Sequence, residues 1–190
     1  MTKRVLGFDV SSSCIGYCAL DFDIESQDIK YIKHGFYKPN KDGLILDRLM
    51  ETKIHIAKTI KEYEADEIAI EDIISFMKNK STAQTVITLA VFNRMVGISA
   101  YEALNKAPTL YNVMSIRHGL KLTKELPAKE QMPEVIEKHL GIEFPYQYKI
   151  KRKTKEKVIA VESYDMADAF SVALYHARLA CKLIIKKVKK

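Results

Sequence analysis

Cysteine is scarce in this chain of 190 residues, with three at positions 14, 18 and 181. An odd, scattered set argues against a disulfide framework and suits a reducing compartment. Cys14 and Cys18 could share one face of a strand, yet no further Cys or His pair stands nearby at zinc-site spacing. Long hydrophobic runs are missing too. None reaches the ~20 residues that span a bilayer, and Met1–Arg4 leads straight into a strand with no secretory h-region. No membrane association is expected, and the expected location is the cytoplasm. The five histidines, His34, His55, His118, His139 and His176, form no cluster by spacing. No internal repeat and no linker divides the sequence, so residues 1–190 are expected to form one domain with a basic C-terminal tail.

What is present is a globular share of apolar residues, 47%, and a formal charge of +7. The charge points toward a polyanion such as nucleic acid, although lysine-rich surfaces also serve solubility alone. Lys3–Val10, KRVLGFDV, reads as a short buried strand covered on both faces. Its one carboxylate, Asp9, costs several kcal/mol unless it is paired or holds a cation; capping a turn is the other explanation. Cys14–Asp23 and Asp28–Tyr37 read as two more strands of an antiparallel meander. A helix over 44–63 follows, with Leu46, Leu49, Met50, Ala57 and Ile60 on one stripe. Asp66–Glu71, DEIAIE, is a fourth strand ending in a second acid, Glu71.

Beyond a polar loop, Ser75–Ser81, the helix Thr82–Leu104 is apolar nearly all round. It needs a cover beyond the sheet, which makes it the expected self-association surface unless the C-terminal helix buries it. Thr109–Val113 is a candidate fifth strand, and Ser115–Leu120 and Ala128–Leu140 read as short helices. Lys149–Lys157, KIKRKTKEK, is strongly basic. Lys151, Arg152 and Lys153 within it, the Lys-rich tail, and Lys78 and Lys80 are candidate phosphate contacts. The last helix is expected over 163–187.

That helix opens with Tyr164-Asp165-Met166-Ala167-Asp168-Ala169. Asp165 and Asp168 share one face. An N-terminal acid favoured by the helix dipole explains Asp165 but not Asp168, which lies among packed residues. If the first and fourth strands are adjacent and parallel, Asp9 and Glu71 stand side by side and repel unless a cation neutralises them. Four oxygen donors without histidine suit Mg²⁺ or Mn²⁺. Two such ions about 4 Å apart are the arrangement that clamps the attacking and leaving oxygens of a phosphodiester.

Three pieces carry a family resemblance: VLGFDVSSSCIGYCAL at 5–20, ADEIAIEDIISFMKN at 65–79 and YDMADAFSVALYHA at 164–177. In that order they resemble the RuvC-type Holliday junction resolvases of the RNase H-like superfamily. The resemblance implies an α/β RNase H-like fold, with a five-stranded mixed β-sheet flanked by α-helices. It implies a homodimer that cuts two strands symmetrically at a four-way DNA junction, with Asp9, Glu71, Asp165 and Asp168 as catalytic metal ligands. The loop after Glu71 would face DNA through Phe76, Lys78, Asn79 and Lys80, and Lys129 would be a phosphate or catalytic-site lysine. Phage-type relatives look broader, accepting other branches. The location implied is replicating DNA or the nucleoid, or host cytoplasm for a phage protein. Other RNase H-like nucleases, including RNA-processing ones, are the nearest rival. A nucleotide-binding lobe of the actin and sugar-kinase type is the second, but this chain supplies one lobe, seven glycines and no Gly-rich phosphate hairpin. An architectural DNA binder would explain the charge but not the four acids.

Overall fold

The computed structural model describes residues 1–73, 82–123, 127–151 and 154–183. Three strands, β1 (Thr2–Val10), β2 (Ile15–Asp23) and β3 (Ile29–Tyr37), form the expected antiparallel meander. Helix α1 (Ile45–Glu62) returns the chain so that β4 (Glu67–Glu71) lies parallel to β1. Helix α2 (Ala83–Leu104) then leads to β5 (Thr109–Tyr111), parallel to β4. The mixed sheet has the order β3-β2-β1-β4-β5. Helices α3 (Val113–Leu120), α4 (Met132–Leu140) and α5 (Val161–Ala180) complete the layers, with a hairpin of β6 (Tyr148–Ile150) and β7 (Lys157–Ile159) before α5.

The period-2 alternation of strands decides which side chains meet the site. On β1, Leu6, Phe8 and Val10 join Ile15, Ile68 and Ile70 in the core beneath α1 and α2. Val5 belongs to the opposite core with Ala69 and α5, so Gly7 and Asp9, in step with Val5, face α5. The same alternation puts Glu67, Ala69 and Glu71 on the α5 side of β4. Full burial of side chains such as Phe8 and Ile70 contributes about 1.5–3 kcal/mol each.

Several boundaries and faces differ from expectation. The buried stripe of α1 is Leu49, Thr52, Ile56, Thr59 and Ile60, whereas Leu46 and Met50 are exposed. The threonines can be buried because their hydroxyls donate back to the carbonyls of Arg48 and His55. The fifth strand stops at Tyr111, since Asn112 caps α3 by accepting the Met114 N–H. A 3-10 turn, Lys129–Gln131, precedes α4. Part of the basic segment is strand: Tyr148, Lys149 and Ile150 pair with Ile159, Val158 and Lys157. Helix α5 begins at Val161, so Asp165 lies beyond its first turn and the helix-dipole explanation for it fails. The helix ends at Ala180, short of the expected span to 187, of which residues 184–187 lie outside the described residues. Nor does α5 cover α2, because the two helices sit on opposite faces of the sheet.

Two turns past Asp168, His176 fastens α5 to the sheet. Its Nε2 lies 2.7 Å from Glu67 Oε2 and its Nδ1 3.0 Å from the Tyr111 hydroxyl. Lys3 and Lys106 also donate to Glu67. Burial works against the Glu67 charge, but hydrogen bonds from His176, Lys106 and Lys3 outweigh it and bring its pKa down to about 2.

Candidate active site

Two glycines let α5 lie directly on the strands that carry the acids. A Cβ at Gly7 would stand 2.6 Å from both the Ala169 carbonyl oxygen and the Ala173 nitrogen. A Cβ at Gly16 would fall on the carbonyl of Asp165. Gly16 is also the residue paired with Asp9 across β1 and β2. The bare backbone at 16 therefore brings Asp165 over Asp9. Asp168 follows one turn later, and both α5 acids are buried, at 6% and 8% exposure. Glu71 ends β4 beside Asp9, because the parallel register sets Phe8 against Ile70. Its backbone carbonyl accepts a 2.8 Å hydrogen bond from the buried Asn93 amide of α2.

A lysine sits among these acids. Lys129 Nζ lies 2.9 Å from Asp165 Oδ1, 3.0 Å from Asp168 Oδ2 and 3.5 Å from Asp9 Oδ2. The turn that carries it is held by Gln131, whose side-chain oxygen accepts the Ala128 N–H. Helix α4 anchors the turn through buried Met132 and Ile136. Arg117 Nη2 of α3 approaches Asp168 Oδ1 at 4.0 Å.

The electrostatics are those of crowded acids in a poorly hydrated pocket. Burial pushes Asp9 well up, Lys129 opposes, and the charges of Asp168, Glu71 and Asp165 push further. Asp168 is raised by burial against the pull of Lys129 and Arg117. Glu71 is pushed up to about 7 by burial and then by Asp168. Burial lowers Lys129, but Asp9, Asp168 and Asp165 outweigh it and hold the ammonium charged. The Cys14 thiol is raised by burial and by the neighbouring Asp165.

The sequence reading named Asp9, Glu71, Asp165, Asp168 and Lys129, and these gather at one place. It did not single out Arg117, Asn93 or Gly16. Lys151 is exposed at the end of β6, where it pairs with Glu156 at 2.9 Å. Phe76, Lys78, Asn79, Lys80, Arg152 and Lys153 lie outside the described residues.

Clustered, hard, all-oxygen donors fit a divalent cation such as Mg²⁺. A positive group, the Lys129 ammonium, already stands among three of them. Among the described residues, no three acidic, His or Cys side chains meet at metal-binding geometry. Three of the acids are instead spaced about an ammonium.

Sheet order, parallel central strands ending in acids, and an acid-bearing helix laid across them define the RNase H-like class of fold. A family profile described as crossover junction endodeoxyribonuclease RuvC matches residues 5–140. The chain belongs to that family. It is 29% identical over 139 residues to the Fusobacterium nucleatum RuvC, covering 73% of this chain and 69% of that one. To RuvC of Neisseria meningitidis serogroup C it is 24% identical over 181 residues, covering 93% and 85%. The fold is similar to that of T. thermophilus RuvC, solved in complex with a Holliday junction substrate: TM-score 0.66, 15% identity, 95% of this chain and 98% of that one. The profile match includes Asp9, Glu71 and Lys129 and stops before α5, so Asp165 and Asp168 are placed by the geometry.

Proposed function

We propose that the chain is a metal-dependent, structure-selective DNA endonuclease that resolves four-way junctions by paired, symmetric phosphodiester hydrolysis. The observation that carries this is the gathering of Asp9, Asp165 and Asp168 about one cationic position, with Glu71 at the adjacent strand end, in a chain of the RuvC family. Asp9, Glu71, Asp165 and Asp168 are read as the ligands of two Mg²⁺ or Mn²⁺ ions. Bound there, divalent ions would activate water and stabilise the leaving oxygen. The protein's part is to hold the four carboxylates on two strands and one helix, away from bulk water. Arg117 and Lys129 add positive charge where a phosphate must approach. We read residues 1–190 as a single nuclease domain acting on DNA in the cytoplasm. Among the described residues, no helix is long and apolar enough to cross a membrane.

Symmetric cutting needs two such sites, and a homodimer supplies them. Helix α2 leaves Ile87 and Ile98 at least half exposed, with Val91 and Tyr101 on the same side, and neighbouring α1 exposes Met50 and Ile54. This two-helix apolar face supports dimerisation through residues 82–104, widened by α1. For DNA, the basic hairpin leads directly into α5, and exposed Lys149 and Lys151 on it are read as phosphate contacts. The loop after Glu71, with Phe76, Lys78, Asn79 and Lys80, is proposed to face the junction.

Cleavage of a synthetic four-way junction, a linear duplex and an RNA–DNA hybrid, each with Mg²⁺ and with chelator, tests the proposal. Paired symmetric nicks confined to the junction and dependent on metal are expected. Preferential cutting of the hybrid would favour an RNA-processing nuclease and overturn it.

A further inference from the structure

The acids surround Lys129, and that arrangement has consequences for how a metal can enter. An ammonium has three N–H donors and no acceptor. Lys129 donates to Asp165 at 2.9 Å and to Asp9 at 3.5 Å, and its ammonium pairs with Asp168 at 3.0 Å, so one charge serves three of the four acids. Oxygen ligands sit about 2.0–2.1 Å from Mg²⁺ and roughly 2.3–2.6 Å from Ca²⁺. To reach such distances the carboxylates must close in on the space where the Lys129 nitrogen stands. A divalent ion placed among these oxygens would also repel the ammonium. The two cations cannot share the position.

Lys129 is built to leave. Its side chain is 39% exposed, whereas Asp165 and Asp168 are buried beneath it. It projects from a short 3-10 turn at the rim, not from the middle of a packed helix. A lysine is a compact charge on a flexible stem, so the head can swing outward while the turn stays anchored by Met132 and Ile136. Arg117 is a less suitable stand-in, because it reaches only Asp168, at 4.0 Å.

We infer that Lys129 is a displaceable placeholder: it holds the cation position of the metal-free protein, and metal binding drives its ammonium out toward the approaching phosphate. This rests on the nuclease reading above. It adds that metal affinity is limited by competition with a residue of the chain itself. Lys129 neutralises the acids when no metal is bound, and displacement delivers its positive charge to the mouth of the site only when a metal is.

The test reads binding and not turnover. Mn²⁺ affinity of the full chain, without DNA, is measured by calorimetry for the parent and for Lys129→Met, which keeps the length of the stem and removes the charge. The variant should bind Mn²⁺ at least tenfold more tightly, and its melting temperature should rise more on adding Mn²⁺ than the parent's does. Equal or weaker Mn²⁺ binding by a folded Lys129→Met overturns the inference and leaves the nuclease reading standing. If neither protein binds Mn²⁺, both fall. Should the variant fail to fold in chelator, the parent alone decides. Amine acetylation followed by mass spectrometry should label Lys129 slowly in chelator and several-fold faster with non-hydrolysing Ca²⁺, while Lys138, exposed on α4, serves as the internal control. Unchanged or slower labelling of Lys129 with Ca²⁺ overturns the proposal.

Discussion

Removing the charge of Glu71 should stabilise the metal-free protein, and only where that charge exists. Burial and the neighbouring Asp168 raise the Glu71 pKa from 4.5 in the unfolded chain to about 7. An acid raised on folding costs stability when ionised. The cost is absent below pH 4.5, grows as pH rises toward 7, and is complete above it. At about 1.4 kcal/mol per pKa unit, the full cost is roughly 3 kcal/mol. Glu71→Gln removes it but leaves a buried amide worth about 1 kcal/mol against folding. A net gain of about 2 kcal/mol raises the melting temperature of a chain this size by roughly 4–8 °C. Thermal melts of parent and variant in chelator at pH 8.5 and pH 4.5 measure this. The gain should appear at pH 8.5 and vanish or reverse at pH 4.5. Asp9 titrates in both proteins but is itself raised by the Glu71 charge, so the difference between the two curves reads Glu71 together with its repulsion of Asp9 and Asp168. Adding Mg²⁺ should stabilise the parent more than the variant. A melting difference that is the same at both pH values would refute the reasoning, because it would show that Glu71 does not carry an uncompensated charge among these acids.

Other outcomes follow from the same geometry. Gly16→Ala should drive a methyl into the Asp165 carbonyl, lower stability by about 3 kcal/mol and cut cleavage further than the loss of folded protein explains; a normal melting curve would contradict the close approach of α5. Ile87→Glu with Ile98→Glu should turn a micromolar dimer into a folded monomer in sedimentation and abolish paired cutting; a parent that is monomeric yet fully resolving would rule out the dimer. Replacing Lys151, Arg152 and Lys153 by Ala should weaken junction binding and flatten the log–log salt dependence by about 0.9 per lost phosphate contact. Weaker binding with an unchanged slope would mean that the segment acts through folding.

The meander and the long apolar α2 were legible because strand alternation and all-round apolarity are local patterns, whereas the parallel pairing of β1 with β4 stood only as a condition until the register showed it. Asp9 and Glu71 stood out as single acids ending apolar strands, and Asp168 as an acid in a packed stretch. Lys129 is 120 residues from Asp9 in sequence, and it was named through the family resemblance alone, because no local pattern announces which lysine folds into the acids. Arg117 and Asn93 have no local signature either, since their roles arise from packing across the sheet. The stripe of α1 was misread because counting apolar letters ignores threonines that satisfy their own hydroxyls. The pairing of β6 with β7 was hidden because alternating Tyr148, Ile150 and Val158 are diluted by lysines chosen for charge.

The role of the acids is tested most directly by Asp168→Asn, with melting, junction affinity and single-turnover cleavage read on one preparation. The amide keeps the shape and removes a charged oxygen donor, so the ions should bind badly. Polarisation by such ions is worth several kcal/mol, and each 1.4 kcal/mol is about tenfold in rate. Cleavage should fall by orders of magnitude while folding survives and junction binding holds or tightens. A folded Asp168→Asn protein that cuts the junction at the parent's rate would contradict the four-carboxylate site, and with it the proposed nuclease.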